Sequence, residues 1–228
     1  MMDHVHDLAC VREATDRLLT AVAKMDNVSL AEPSRLPGWS RGHVLAHLAR
    51  NADALVNVLE GRPMYASAAQ RDADIERDAS RTLEAHVTDL RESAGRFQAA
   101  GDAPADWTRT VELRHGITDS ASRVPFRRWV EVELHHVDLG IGYELDDLPA
   151  EFLERETDFL TDRFSGHADV PATRVTDGTR AWTTGREADA PEVTVTGRPA
   201  DLVGWLAGRR DGAALDTQGG TLPKLPPL

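Results

Sequence analysis

The segment from Ser40 to Glu60 constrains this chain more than any other. Advanced by 100° per residue, Val44, Leu45, Leu48, Ala52, Leu55, Val56 and Leu59 fall on one apolar stripe. Ser40 stands where an N-cap belongs, and Gly61-Arg62-Pro63 closes the helix. A helix with one apolar stripe must bury it, and partners of the same kind are at hand. Leu8, Val11, Leu18, Leu19, Val22 and Met25 repeat at helical spacing earlier in the chain. Leu83, Val87, Leu90, Ala94 and Phe97 give a third helix an inner face between about Ser80 and Ala100, and a fourth runs from near Pro125 to near Gly140. Long helices in succession, with no strands between them, predict a helix bundle.

A shorter helix, AEFLERETDFLTDRF, follows, and after Gly166 the texture changes. TRVTDGTRAWTTG and EVTVTG are rich in Thr and Val and alternate as strands do, with READAP as the turn between them. RPADLVGWLAGRRDG reads as a helix, with Pro199 near its start and Gly212 past its end. The tail TLPKLPPL is too rich in proline for helix. The expected organisation is a helical bundle over residues 1–164 and a small α+β domain over 165–228.

Charge and composition narrow the function classes. A net charge of −12 and the lack of a dense Lys/Arg cluster argue against a nucleic-acid partner. No run approaches the roughly 18 apolar residues of a membrane span, and the acidic start MMDHVHDLAC is unlike a secretory signal. A single cysteine, Cys10, forbids an internal disulfide and fits a reducing compartment. The expectation is a soluble cytoplasmic protein. Cys10 has no neighbouring Lys and no helix start to lower its pKa, so it reads as a packing residue and not a nucleophile.

Metal ligation is the sharpest chemistry the pattern admits, beside the plainer reading of Glu131 and His135 as a surface i,i+4 pair and of His47 as a packing residue. His43, His47 and Asn51 form a row along the edge of the stripe on the Ser40–Glu60 helix. Residues at a stripe edge face the crevice between helices, where bundles place metal ligands. On the helix within VPFRRWVEVELHHVDLG, Glu131, His135 and Asp138 run beside the stripe of Val130, Leu134, Val137 and Ile141. Glu131 and His135, at i and i+4, project from adjacent turns of one face and can reach a single cation. With His47 from the facing helix they make two imidazoles and a carboxylate, which leaves a coordination position open, as in catalytic zinc sites. Asp138 or a backbone carbonyl is placed to hold the outer nitrogen of an imidazole. Glu133 with His136 is a rival pair at i+3, and His43 is the substitute for His47. His4, His6, His86, His115 and His167 are scattered and read as non-ligands. Arg50, Trp39 and Arg128 are candidates for the pocket wall, each with a structural role equally open.

The two stretches LPGWSRGHVLAHLARNADAL and RRWVEVELHHVDLG together resemble the signature segments of the mycothiol-dependent maleylpyruvate isomerase family. The resemblance covers nearly the whole chain, including a C-terminal helix of the DLVGWLAGR type. It implies a mainly α fold, a DinB-like four-helix bundle followed by a small C-terminal α+β domain. It places the metal triad on His47, Glu131 and His135, and a functional arginine on Arg209, with Arg210 the close alternative. It implies a divalent metal, with zinc the first choice for this donor set and Ni²⁺, Fe²⁺ or Mn²⁺ as alternatives. It also implies mycothiol as the thiol cosubstrate and a small-molecule electrophile as partner. A thiolate would add reversibly to the cis double bond of maleylpyruvate. Two other readings use the same residues: a mycothiol S-transferase, and a non-catalytic DinB-like metal-binding protein.

Overall fold

The structure, a computed structural model, describes residues 4–227; Met1, Met2 and Asp3 of the acidic start and Leu228 of the tail lie outside the described residues. The chain divides into two compact units, one ending at Tyr143 and the other beginning at Glu144.

In the first unit α1 (His4–Val22), α2 (Arg41–Leu59), α4 (Leu83–Asp102) and α5 (Val124–Asp138) pack as a four-helix bundle. α2 lies against α4 and α5, and α1 completes the square against the same two helices. Most of the expected α2 stripe is realised: Val44, Leu45, Leu48, Ala52 and Leu55 are almost wholly removed from solvent, while Val56 and Leu59 near its end are half-buried and Val58 turns inward instead. They meet Leu8, Val11, Leu18 and Val22 of α1, Leu90 and Phe97 of α4, and Phe126, Trp129, Val132 and Val137 of α5 within one core. The α5 stripe is rotated from the expected one, since Val130 is half-buried while Trp129, Glu133 and His136 turn fully inward.

Caps fix where α2 begins. The Ser40 hydroxyl accepts from the His43 backbone N–H, and the His43 ring accepts from the Ser40 backbone N–H at 3.2 Å, a reciprocal cap that occupies two otherwise orphan donors. The loop before α2 grips the far end of α5. Arg41 Nε donates to the Leu139 carbonyl at 2.9 Å and its Nη2 to that of Gly140 at 3.3 Å, while the Arg35 backbone N–H donates to the Asp138 carbonyl at 2.8 Å. The last carbonyls of α5 are thereby satisfied, and α2 and α5 are held in register where their polar edges meet.

Two elements of this unit depart from the expectation of helices alone. α3 (Ala68–Ala79), capped by Ser67, packs on α2. It buries only Ile75, Asp78 and Ala79, so it has no apolar stripe for periodicity to find. β1 (Thr110–Glu112) and β2 (Thr118–Ser120) form a short antiparallel hairpin between α4 and α5, contrary to the reading of no strands in this region.

In the second unit the strand order is β4-β3-β5-β6. β3 (Thr173–Thr176) pairs antiparallel with β4 (Ala181–Thr184) and parallel with β5 (Val193–Thr196), which pairs antiparallel with β6 (Asp216–Gln218). Val175, Val193 and Val195 alternate inward as the Thr/Val pattern requires. α7 (Pro199–Leu206) connects β5 to β6 and packs on α6 (Ala150–Arg163), which also touches β4. The expected boundary at 164/165 and the observed division at 143/144 differ by α6: its apolar residues Phe152, Leu153 and Leu160 are buried within the second unit. The strand β6 falls in a stretch with no apolar alternation, all three residues being exposed. No helix among the described residues is long and apolar enough to cross a membrane.

A close backbone approach lies at Gly42, where a Cβ would stand 2.1 Å from the Ala79 carbonyl oxygen and 3.2 Å from its carbon. Both are backbone atoms, so α3 must move to admit a methyl group. Gly42→Ala is expected to destabilise the protein by about 2 kcal/mol, within the usual range for overpacking, and to lower Tm by roughly 4–8 °C for a domain of this size. A melting curve superimposable on wild type would contradict the tight α2–α3 contact.

Candidate metal centre

His47 projects from α2, and Glu131 and His135 from adjacent turns of α5, into the crevice between the two helices. His47 Nε2 lies 3.0 Å from Glu131 Oε2 and 3.1 Å from His135 Nε2, and His135 Nε2 lies 3.3 Å from Glu131 Oε2. Each side chain thus offers one ligand atom to a common point. Ligands held tetrahedrally at about 2.0–2.1 Å from a zinc ion stand roughly 3.3 Å from one another, so this triangle has the dimensions of one face of such a site. Two imidazole nitrogens and a carboxylate oxygen also carry more lone pairs than protons at neutral pH. A cation among them relieves a repulsion that hydrogen bonding alone satisfies only in part.

The electrostatics divide the labour. Burial pushes the His47 pKa down to about 4, against the hydrogen bond to Glu131, so this ring is neutral at physiological pH. At Glu131 burial favours the protonated form, yet the hydrogen bonds from His135 and His47 outweigh it and hold the carboxyl well below its usual range. His135 is the basic member: burial opposes its charge, but the hydrogen bonds to Asp138 and Glu131 prevail and raise its pKa. Its Nδ1 lies 2.8 Å from Asp138 Oδ2, and Asp138 is fully buried. With Nδ1–H donated to that carboxylate, the Nε2 lone pair of the neutral ring faces the centre, which is the orientation a ligand needs.

The remaining sequence candidates find other places. His43 is spent on the α2 cap and on Glu76, 3.1 Å from its Nε2. The rival pair Glu133 and His136 is structural: Glu133 is fully buried and accepts from Arg17, from Trp129 Nε1 at 3.0 Å and from Tyr143 Oη at 2.8 Å, while the His136 ring stacks on that of Tyr143. Trp39 packs beside His47, the two ring centroids 5.4 Å apart. Arg128 is buried and donates through Nη1 to the Leu48 carbonyl and to Asn51 Oδ1, joining α5 to α2 beside the triad. Arg50 instead belongs to an ion-pair network with Asp53, Asp78 and Asp89. Arg209 lies in the second unit on the turn after α7, where its Nη1 donates to the Ala207 carbonyl at 2.6 Å. Arg210 is committed to Asp201 and Asp146.

Two residues near the triad escaped sequence reasoning. Arg71, on α3, brings Nη2 to 3.4 Å from His47 Nδ1, and its guanidinium lies 5.9 Å above the centre of the Tyr65 ring. Both belong to the stretch from Tyr65 to Ala79 that carries no apolar periodicity; the only sequence signal there is Ser67 as a cap before an Ala-rich run.

For a metal held by this triad, the titration pattern sets how affinity would depend on pH. A metal must displace whatever proton its ligands hold. From about pH 5 to 6.5, His47 and Glu131 have already lost theirs, whereas His135 retains its own because its pKa is raised above 6.5. The logarithm of the apparent zinc association constant should therefore rise by about one per pH unit in that window and flatten above the His135 pKa. Competition with a chelator of known affinity measures it. A slope near two, or none, would contradict the assignment of one basic and one neutral imidazole.

Comparison with known proteins bears on the fold and the family. Residues 11–140 match the family model described as the mycothiol maleylpyruvate isomerase N-terminal domain, and residues 147–227 match the C-terminal domain of the same family. Among solved structures, a mycothiol-dependent maleylpyruvate isomerase superposes with a TM-score of 0.87 at 27% identity, covering 99% of this chain and 97% of the other. A histidine-to-alanine mutant of a mycothiol-dependent maleylpyruvate isomerase gives 0.88 at 26% identity over the same shares. No curated protein sequence matches the chain. With both of its units matched by the paired models and its fold by the solved structures, the chain belongs to the mycothiol maleylpyruvate isomerase family.

Proposed function

We propose that this enzyme is a metal-dependent isomerase that uses mycothiol to convert maleylpyruvate to its trans isomer. The observation that carries the reading is the convergence of His47 Nε2, Glu131 Oε2 and His135 Nε2 on one point within a fold of this family. A divalent ion at that point, zinc by its donor set, supplies positive charge beside which a thiol with an ordinary pKa near 8.5 is deprotonated at neutral pH. The chain offers no nucleophilic cysteine of its own at the centre, and a borrowed thiol fills that role.

The chain's residues then have defined tasks. His47 and His135 present neutral nitrogens, Glu131 a carboxylate oxygen, and Asp138 fixes the His135 tautomer. Trp39 walls the centre on the His47 side. The mycothiol thiolate adds to the cis double bond of the substrate: a C–S bond forms while the π electrons move into the conjugated carbonyl as an enolate. The former double bond turns as a single bond. The enolate electrons return, the C–S bond breaks and the thiolate leaves, giving fumarylpyruvate with no net consumption of thiol. An arginine stabilises the enolate and holds a substrate carboxylate in this scheme. Arg209 is the residue proposed for that task, from the likeness of its segment WLAGRR to that of the family, with Arg210 the close alternative.

Incubation of the metal-loaded protein with maleylpyruvate and mycothiol tests the reaction. Trans product should appear with the thiol recovered in full; a persistent thiol adduct without trans product would reject the isomerase in favour of a transferase. Replacing Asp138 with Asn leaves all three ligands in place and removes the carboxylate that orients His135. It should weaken metal binding about 10–100-fold, the usual effect of losing such a partner. Unchanged affinity in a chelator competition would contradict a part for the Asp138 carboxylate in orienting His135 as a ligand.

A further inference from the structure

Two guanidinium groups accompany the metal centre that the proposed reaction does not use. Arg71 reaches inward from α3 with only 11% of its side chain exposed, and the carboxylate it pairs with, Asp72, is itself 64% exposed at the surface. Arg128 sits one turn before Glu131 on α5 and is 1% exposed. Its partners, the Leu48 carbonyl and Asn51 Oδ1, are neutral, and both are served by Nη1. Among the described residues no carboxylate lies within ion-pair distance of it. A buried cation without a counter-ion is costly, and burial accordingly draws its pKa down to about 10, with only the more distant charges of Glu131, Tyr65 and Asp53 opposing. Tyr65 lies within the same electrostatic neighbourhood, interacting with both Glu131 and Arg71.

We propose that Arg71 and Arg128, together with the Tyr65 phenol, form a subsite that holds a carboxylate of the substrate beside the metal centre. The hydrogen-bonding of His47 argues for it. When Nε2 of that ring serves a cation, Nδ1 carries the proton and becomes a donor, so it no longer accepts from Arg71 3.4 Å away. Nη2 of Arg71 then loses its imidazole acceptor while Nη1 stays on the exposed Asp72, and an incoming carboxylate beside the Tyr65 phenol supplies the acceptor that Nη2 lacks. The charges agree. A divalent ion and two guanidiniums, set against the carboxylates of Glu131 and Asp138, leave the neighbourhood with two positive charges, suited to a dicarboxylate. The subsite rests on the metal-centre reading above and names residues that confer its preference for dianions; it does not depend on whether the bound thiolate leaves again.

Maleate, an unreactive-toward-turnover dicarboxylate probe without the thiol, serves for the test. Calorimetric titration into zinc-loaded wild type, Arg71→Gln and Arg71→Lys, with metal content determined on the same samples, reads the contribution of the fork. Wild type should bind maleate, Arg71→Gln should bind at least tenfold more weakly with its metal intact, and Arg71→Lys should fall between, since it keeps the charge and loses the fork. Arg128→Lys, chosen because a neutral residue there risks the fold, should also weaken binding. Equal affinity in wild type and fully metal-loaded Arg71→Gln, or no measurable binding by wild type, overturns the subsite. Failure of the metal-centre reading shows separately, as wild type that takes up no metal, and carries the subsite down with it. Failure of the isomerase reading shows as absent trans product while the dependence of maleate binding on Arg71 persists.

Discussion

Three ligand atoms from two helices, brought to within 3.3 Å of one another, are the constraint on which the site depends. Such a cluster does not assemble through its own attraction. It is held by an apolar core that packs α2 against α5 and by polar contacts that pin their register. Arg128 ties α5 to the Leu48 carbonyl and Asn51 on one side of the triad. Arg41 and Arg35 tie the end of α5 to the loop before α2 on the other. The three side chains are therefore held as a ready-made set, and a cation bound there would lose little of its binding energy to ordering them.

An acidic chain surrounds this centre with local positive charge. The net charge is −12, yet Arg71 and Arg128 both turn inward near the triad. α3, which carries Arg71, buries little apolar surface, and charged groups gather at its C-terminal end. Asp78, 1% exposed, meets Arg77 at 2.9 Å and Arg81 at 2.7 Å, with Arg50 of α2 at 3.8 Å; Arg50 and Arg81 also share Asp89 of α4. An isolated surface pair is worth little, but a buried carboxylate with several partners is worth much more to the site that needs it, because removing a partner strands the charge. α3 is linked to α2 by the close approach of Ala79 to Gly42, by burial of Ile75 and by the Arg50–Asp78 pair.

Much of this was legible in the sequence, for physical reasons that also explain the omissions. The stripe of α2 and the i, i+4 pair of Glu131 and His135 follow from helical geometry alone, and the structure brings His47 to them across the crevice. The alternation of Val175, Val193 and Val195 announced the C-terminal sheet. α3 was invisible because it buries little apolar surface, β1–β2 because three-residue strands set no period, and β6 because all of its residues are exposed. The division between units was displaced because α6 has an ordinary amphipathic pattern, and such a pattern does not say which core will receive it. Arg71 and Tyr65 were missed with the helix and loop that carry them.

X-ray absorption spectroscopy at the zinc edge, on wild type and on Glu131→Gln, addresses the central claim most directly. The account predicts a shell of nitrogen and oxygen neighbours at about 2.0–2.2 Å, the scattering signature of two imidazoles, and loss or rearrangement of that shell in the variant. A metal surrounded by sulfur, a single imidazole, or a spectrum indifferent to Glu131 would contradict it.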